Sequence, residues 1–319
     1  MRSIEPLLSV LPKTTVVDGK KILLIQITPS SWDRLEFYTS RVREFTDSGR
    51  LNAHKSVYTF LGQRPPIFPN LKILRLLPGM CNSSTFLFFL SSTLQEACVL
   101  CPALAFVAMA GQVLDIGPSL ALLVAKSPGI KSLDLQRHIY SGLAHSLHAL
   151  HDLERLSVMH LASPFLGREF VKAIASLPRL THLILTFSAR NPLDYEGTAH
   201  GFPFLREVWL EGTNAHLHRF LTCLSCNLRR LDLSWGNDND REPPLGEIAD
   251  VTRMLLKFSF PLPEKLCLHN IVLPLTADFD DSMLWSVFEP LLELKRLKEL
   301  GHNGALSLSD ERTATIACV

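Results

Sequence analysis

A six-residue pattern, Leu-x-x-Leu-x-Leu, recurs along this chain at nearly constant intervals, and few folds can accommodate it. It reads Leu71-Lys-Ile-Leu74-Arg-Leu76, then Leu104, Val107 and Met109, then Ile130, Leu133 and Leu135. Further copies follow at Leu153, Leu156 and Val158; at Leu180, Leu183 and Leu185; at Leu205, Val208 and Leu210; and at Leu228, Leu231 and Leu233. Their first positions are separated by 33, 26, 23, 27, 25 and 23 residues. The long first step has room for a degenerate unit around residues 94–99, and looser copies stand at 264–268 and 297–300. Pro69, Pro102, Pro128, Pro178 and Pro203 precede five of the copies, where proline ends a helix and pre-sets an extended turn.

Each copy places apolar residues two apart, the period of a short strand with one buried face. Between copies the chain has time to return, and segments 119–125, 141–150, 170–177 and 216–224 carry apolar residues at the spacings of short amphipathic helices. A single strand–helix unit cannot bury its apolar face alone, whereas stacked units share one core. Motif and spacing together resemble the leucine-rich repeat. That resemblance implies an α/β solenoid, a horseshoe of about 8–10 irregular repeats. Such repeats usually carry Asn or Cys three residues after the last Leu of the motif. Here those places hold Gly79, Gln112, His138, Leu161, Ser188, Thr213 and Gly236, so irregular turns are expected.

Composition narrows the function. Leucine supplies 59 of the 319 residues, hydrophobic residues make up 47%, and the formal net charge is +1. That excludes a disordered chain, and it gives no basic surplus with which to release counterions from nucleic acid. No apolar run approaches the ~18–20 residues of a membrane span. Glu5, Pro6 and Pro12 interrupt the place of a signal-peptide core, so the expected location is cytoplasmic or nuclear. The seven cysteines are then expected to be thiols.

The ends do not repeat. Residues 1–60 read as a non-repeat cap: a strand over 20–27, then an amphipathic helix opened by Ser31 and carrying Trp32, Leu35, Phe37, Tyr38, Val42 and Phe45. The repeat array is expected over 61–319. At its far end residues 306–311 resemble the start of another returning helix, so the array reads as cut within a unit.

Leu7-Leu8-Ser-Val-Leu-Pro12, then Ser31-Trp32-Asp-Arg-Leu-Glu-Phe-Tyr38 and Arg41-Val-Arg43, followed by Pro-x-Leu repeats, resembles the fungal F-box proteins with leucine-rich repeats, mostly those of basidiomycetes. In that family an F-box docks on the adaptor of a cullin–RING ubiquitin ligase, and the repeats capture the target. This chain departs from the pattern at the crucial place. Leu11-Pro12-Lys13 continues into Thr14-Thr15-Val16-Val17, with no Glu and a β-branched run that disfavours helix. The F-box is therefore absent from this chain, and an adaptor is an expected partner only if an F-box lies upstream.

Candidate chemistry gives way to simpler readings. Cys98-x-x-Cys101 and Cys223-x-x-Cys226 have zinc-like spacing. Placed on equivalent rungs five steps apart, at ~4.8 Å per strand, they would stand too far apart to share an ion. His145, His148 and His151 lie on one helical stretch and read as a polar face. Residues 237–242 suggest part of a calcium loop but lack its Gly. No phosphate-binding Gly-rich loop, no Gly-x-Ser-x-Gly elbow and no convergent acid, base or nucleophile set is present. No enzymatic activity, cofactor or metal site is expected.

What remains is the strand face turned away from the core, concave in a horseshoe. Its central residues are Arg75, Ala108, Asp134, Ser157, Ile184, Trp209 and Asp232, flanked by His182, Glu207, Glu211 and Arg230. From these, Arg75, Asp134, His182, Ile184, Glu207, Trp209, Glu211, Arg230 and Asp232 are the candidate protein-binding residues. Trp209 between two glutamates is the sharpest of them, because tryptophan and arginine anchor most protein interfaces. The expected function is non-catalytic capture of a protein target, as in the substrate-recognition part of an F-box receptor. The alternative is a repeat scaffold unrelated to ubiquitin.

Overall fold

The computed structural model describes residues 5–11, 14–17, 20–23, 28–47, 57, 61, 66–76, 87–100, 117–136, 144, 147–161, 168–187, 201–235, 245–257, 263–269, 289–291 and 293–303. The protein is α/β. A short antiparallel pair, β1 (Thr14–Val17) and β2 (Lys20–Leu23), follows a helical turn at Glu5–Leu8. Ten further strands form parallel ladders in strict chain order. They are β3 (Glu44–Asp47), β4 (Ile73–Leu76), β5 (Glu96–Leu100), β6 (Ser132–Gln136), β7 (Arg155–Leu161), β8 (His182–Phe187), β9 (Glu207–Gly212), β10 (Arg230–Trp235), β11 (Lys265–His269) and β12 (Glu299–Asn303). Helices Gly117–Lys126, Arg168–Ala175, Asn214–Leu221 and Leu245–Lys257 lie between strands. Parallel strands require such crossovers, because a tight hairpin can join only antiparallel neighbours. The chain comprises two compact units, Met1–Ser157 and Val158–Val319, and β7 contains the boundary.

In the first unit the inward phase of the ladder is apolar from rung to rung: Phe45 beside Leu74, Leu74 beside Ala97, Ala97 beside Leu133. All four are buried. Phe45, Phe68 and Phe89 pack ring to ring with centroids 5.0–5.6 Å apart, each fully buried. In the second unit Leu183, Val208, Leu231 and Leu266 form the equivalent row, with Leu185, Leu210, Leu233 and Leu268 beside it. Phe187 there stacks on the buried His216, whose Nδ1 lies 2.8 Å from Thr213 Oγ1.

A backbone device joins the rungs. At several strand entrances one carbonyl accepts two successive N–H groups from the next rung, using both of its lone pairs. Arg43 O takes Lys72 N and Ile73 N; Lys72 O takes Gln95 N and Glu96 N; Gln95 O takes Lys131 N and Ser132 N; all lie at 2.8–3.1 Å. The second unit repeats this at Thr181 O and Arg206 O, and again at Glu264 O.

Gly201 sits where a Cβ would lie 2.5 Å from Ala175 Cβ, so only glycine lets the chain pass the end of helix Arg168–Ala175. Phe202 follows with φ of 68°, a left-handed conformation held by its buried ring.

Several expectations are corrected. The helix read as starting at Ser31 and reaching Phe45 is Pro29–Thr39. Thr28, not Ser31, is its N-cap: Thr28 Oγ1 accepts Ser31 N at 3.3 Å, and Pro29 occupies the first turn. Phe45 instead lies on β3, so the ladder begins within the span read as a cap. Strand β5 pairs directly with both β4 and β6, Cys98 beside Arg75 and Asp134, which places a rung in the degenerate 94–99 stretch. Residues 104–109, 188–200, 237–242 and 306–311 lie outside the described residues, as does half of 141–150.

The cap makes a modest test. Thr28→Ala is expected to cost about 0.5–1 kcal/mol, the low end of the N-cap range because the bond is long and exposed. Urea unfolding of both proteins measures it.

Candidate functional site

Because side chains alternate along a strand, in-register parallel strands lay their outward residues in rows. In the second unit three rows cross β8 to β12. The central row reads Ile184, Trp209, Asp232, Cys267 and Gly301. On one side lie His182, Glu207, Arg230, Lys265 and Glu299; on the other, Thr186, Glu211, Ser234, His269 and Asn303.

The first flanking row is charged, with two adjacent cations, Arg230 and Lys265, between the carboxylates Glu207 and Glu299. His182 Nε2 stands 3.4 Å from Glu207 Oε1, and Lys265 Nζ bridges Glu299 Oε2 at 2.5 Å. The Lys265 bond holds the Glu299 carboxyl below the usual carboxylate range, and the Lys265 amine is raised in return. Both groups are exposed, so this row orients charge more than it stabilises the fold.

Asp232 was expected to be open, but it is only 5% exposed, and the outward Thr186, Ser234 and Cys267 are buried with it. The indole of Trp209 on β9 leans across β10 and stacks on the His269 ring of β11, centroids 5.7 Å apart and planes within 19°. The carboxylate lies buried between Arg230 and His269. Asp232 Oδ2 accepts Arg230 Nε at 2.7 Å, and this bond first of all raises the Arg230 guanidinium. Asp232 Oδ1 is buried, accepts no hydrogen bond, and lies 3.8 Å from His269 Nε2. Burial first, and then the neighbouring Asp232 carboxylate, pushes the Cys267 thiol up. Trp209 itself remains 40% exposed.

The first unit has its own outward row: Thr46, Arg75, Cys98 and Asp134. Arg75 pairs with Glu44, and Cys98 Sγ donates to Asp134 Oδ2 at 3.3 Å.

The candidate residues thus fall into two groups. His182, Ile184, Glu207, Trp209, Glu211, Arg230 and Asp232 are gathered on the β8–β11 rows, while Arg75 and Asp134 belong to the first unit. Cys267 and His269 were missed as site residues. The looser copy at 264–268 carries Cys267, with His269 next after it, and period-two counting from its leucines puts both on the outward side. Cys223 and Cys226 are buried after helix Asn214–Leu221, and burial pushes the Cys226 thiol to about 11, as for an unreactive packing thiol. Cys98 is on a strand; Cys101 and His145 lie outside the described residues, and His148 and His151 are exposed. Among the described residues no helix is long and apolar enough to cross a membrane.

No protein-family model matches the chain, and no curated protein matches it significantly.

Proposed function

We propose that this protein is a non-catalytic protein-binding module of the leucine-rich-repeat type, gripping its partner on the outward strand face of β8 to β11. One observation carries the reading. A 40%-exposed tryptophan stacks on His269 beside a row of charged side chains, all on in-register strands. Aromatic anchors surrounded by orienting charge are what interface hot spots use. On the resemblance to F-box proteins with leucine-rich repeats, the partner is a target for ubiquitination, met in the cytoplasm or nucleus. A scaffold unrelated to ubiquitin is the alternative.

A photo-crosslinking residue placed at Ile184, beside Trp209 in register, is expected to trap the partner in cells. Trp209→Ala should then weaken binding of the trapped protein at least ~30-fold, the loss of a ≥2 kcal/mol hot spot. A change under threefold would refute the face as the binding surface. The two readings separate on deletion of the gene: a longer partner half-life, with adaptor co-purifying with the full gene product, supports the ubiquitin reading. Unchanged half-life supports the scaffold.

A further inference from the structure

We propose that Asp232, Cys267 and His269 form a three-ligand site for a zinc-class divalent cation on the outward face of β10 and β11. The inference is independent of the protein-binding reading above.

Register builds the site. Asp232 and Cys267 are direct partners across β10 and β11, and His269 follows Cys267 by two residues, on the same face. One carboxylate oxygen, the thiol sulfur and one imidazole nitrogen all lie within 4.8 Å of one another. A tetrahedral zinc ion with bonds of ~2.0–2.3 Å sets its ligands roughly 3.3–3.7 Å apart. The His269–Asp232 separation of 3.8 Å is already close to that edge, and side-chain rotation closes the rest.

Asp232 Oδ1 points to a ligand independently of the clustering. It belongs to a side chain 95% buried, accepts no hydrogen bond, and faces His269. A buried carboxylate oxygen with no donor is costly, and a cation between it and His269 removes that cost. The surroundings hold the ligands in place. Arg230 fixes the other carboxylate oxygen at 2.7 Å, and Trp209 fixes the imidazole plane by stacking. Gly301, beside Cys267 on β12, leaves the thiol room, since a Cβ there would lie 3.0 Å from Sγ.

Charge agrees. The three outward rows hold four carboxylates (Glu207, Glu211, Asp232, Glu299) against two fixed cations (Arg230, Lys265), an excess of two negative charges. The mixed S, N, O donor set suits zinc and its borderline neighbours, and does not suit calcium or magnesium, which want oxygen cages. Three protein ligands leave a fourth position for water or a donor from a partner.

The full chain, stripped with chelator and titrated with Co²⁺, tests this. One equivalent should produce thiolate-to-cobalt charge-transfer absorption and the visible bands of a tetrahedral ion, both erased by Zn²⁺. Cys267→Ser and His269→Gln should each weaken binding at least ~10-fold, with far-UV circular dichroism checking their folds, while Cys98→Ser leaves it unchanged. In wild-type protein, which needs no variant to fold, Zn²⁺ should slow alkylation of Cys267 at least ~10-fold. Absence of the bands, bands that persist in Cys267→Ser, or an alkylation rate indifferent to Zn²⁺ would each overturn the site.

Discussion

Phe45→Ala is expected to cost about 3–5 kcal/mol, the usual loss for truncating a buried phenylalanine. Phe45 is fully buried on β3, at the start of the first ladder, and its ring touches Phe68 and Phe89 at 5.0–5.1 Å. Those two rings are themselves only 5.6 Å apart, so the cluster cannot collapse into the space left behind without losing its own contacts. Terminal rungs are supported from one side only, which leaves the ring cluster as the chief anchor of β3. Phe37, 54% exposed, supplies the control: Phe37→Ala should stay within about 0.5 kcal/mol of wild type. Urea unfolding distinguishes the outcomes. A Phe45→Ala loss below about 1 kcal/mol would mean that β3 is not docked as described.

The second large effect concerns charge rather than volume. With metal removed by chelator, Arg230→Met is expected to destabilise the protein at pH 7 by about 3 kcal/mol. That is the low end for removing one member of a buried pair, because Arg230 is itself 44% exposed. The variant leaves the buried Asp232 carboxylate with no guanidinium, beside His269 Nε2 at 3.8 Å. The double variant, Arg230→Met with Asp232→Leu, removes both charges and should return to within about 1 kcal/mol of wild type. Unfolding of wild type, the two single variants and the double variant forms the cycle. A double variant as unstable as Arg230→Met would show that Arg230 acts through packing alone.

Most rungs were readable before any coordinates, because Leu, Ile and Val at period two mark a one-faced strand. Leu133 and Leu135, Leu183 and Leu185, and Leu231 and Leu233 all lie buried on strands as that pattern requires. The pattern failed where the inward residue is not leucine. Strand β5, which turns Ala97 inward, was legible only as a degenerate unit around residues 94–99; β3 offers Phe45 alone, whose spacing from Val42 continues the helical period by coincidence. For the site, Trp209, Arg230 and Asp232 could be read from alternation within their own strands. Their meeting with Cys267 and His269 could not, because it depends on the register between β10 and β11 across an insertion of about 30 residues, and that register is set by backbone bonds such as Lys265 N to Arg229 O at 2.8 Å. The burial of Asp232 likewise follows from a ring leaning across from two strands away.

Because each strand bonds mainly to the strands on either side, and odd and even positions along it face opposite environments, affinity and foldedness are written on different residues. Substitutions at the outward Ile184, Trp209 and Glu211 can alter the proposed binding face one at a time, while Leu183, Leu210 and Leu233 keep the scaffold standing. An architecture of this kind can diversify its targets quickly. Asp232 is where that freedom stops, since a neighbour must always be found for its charge.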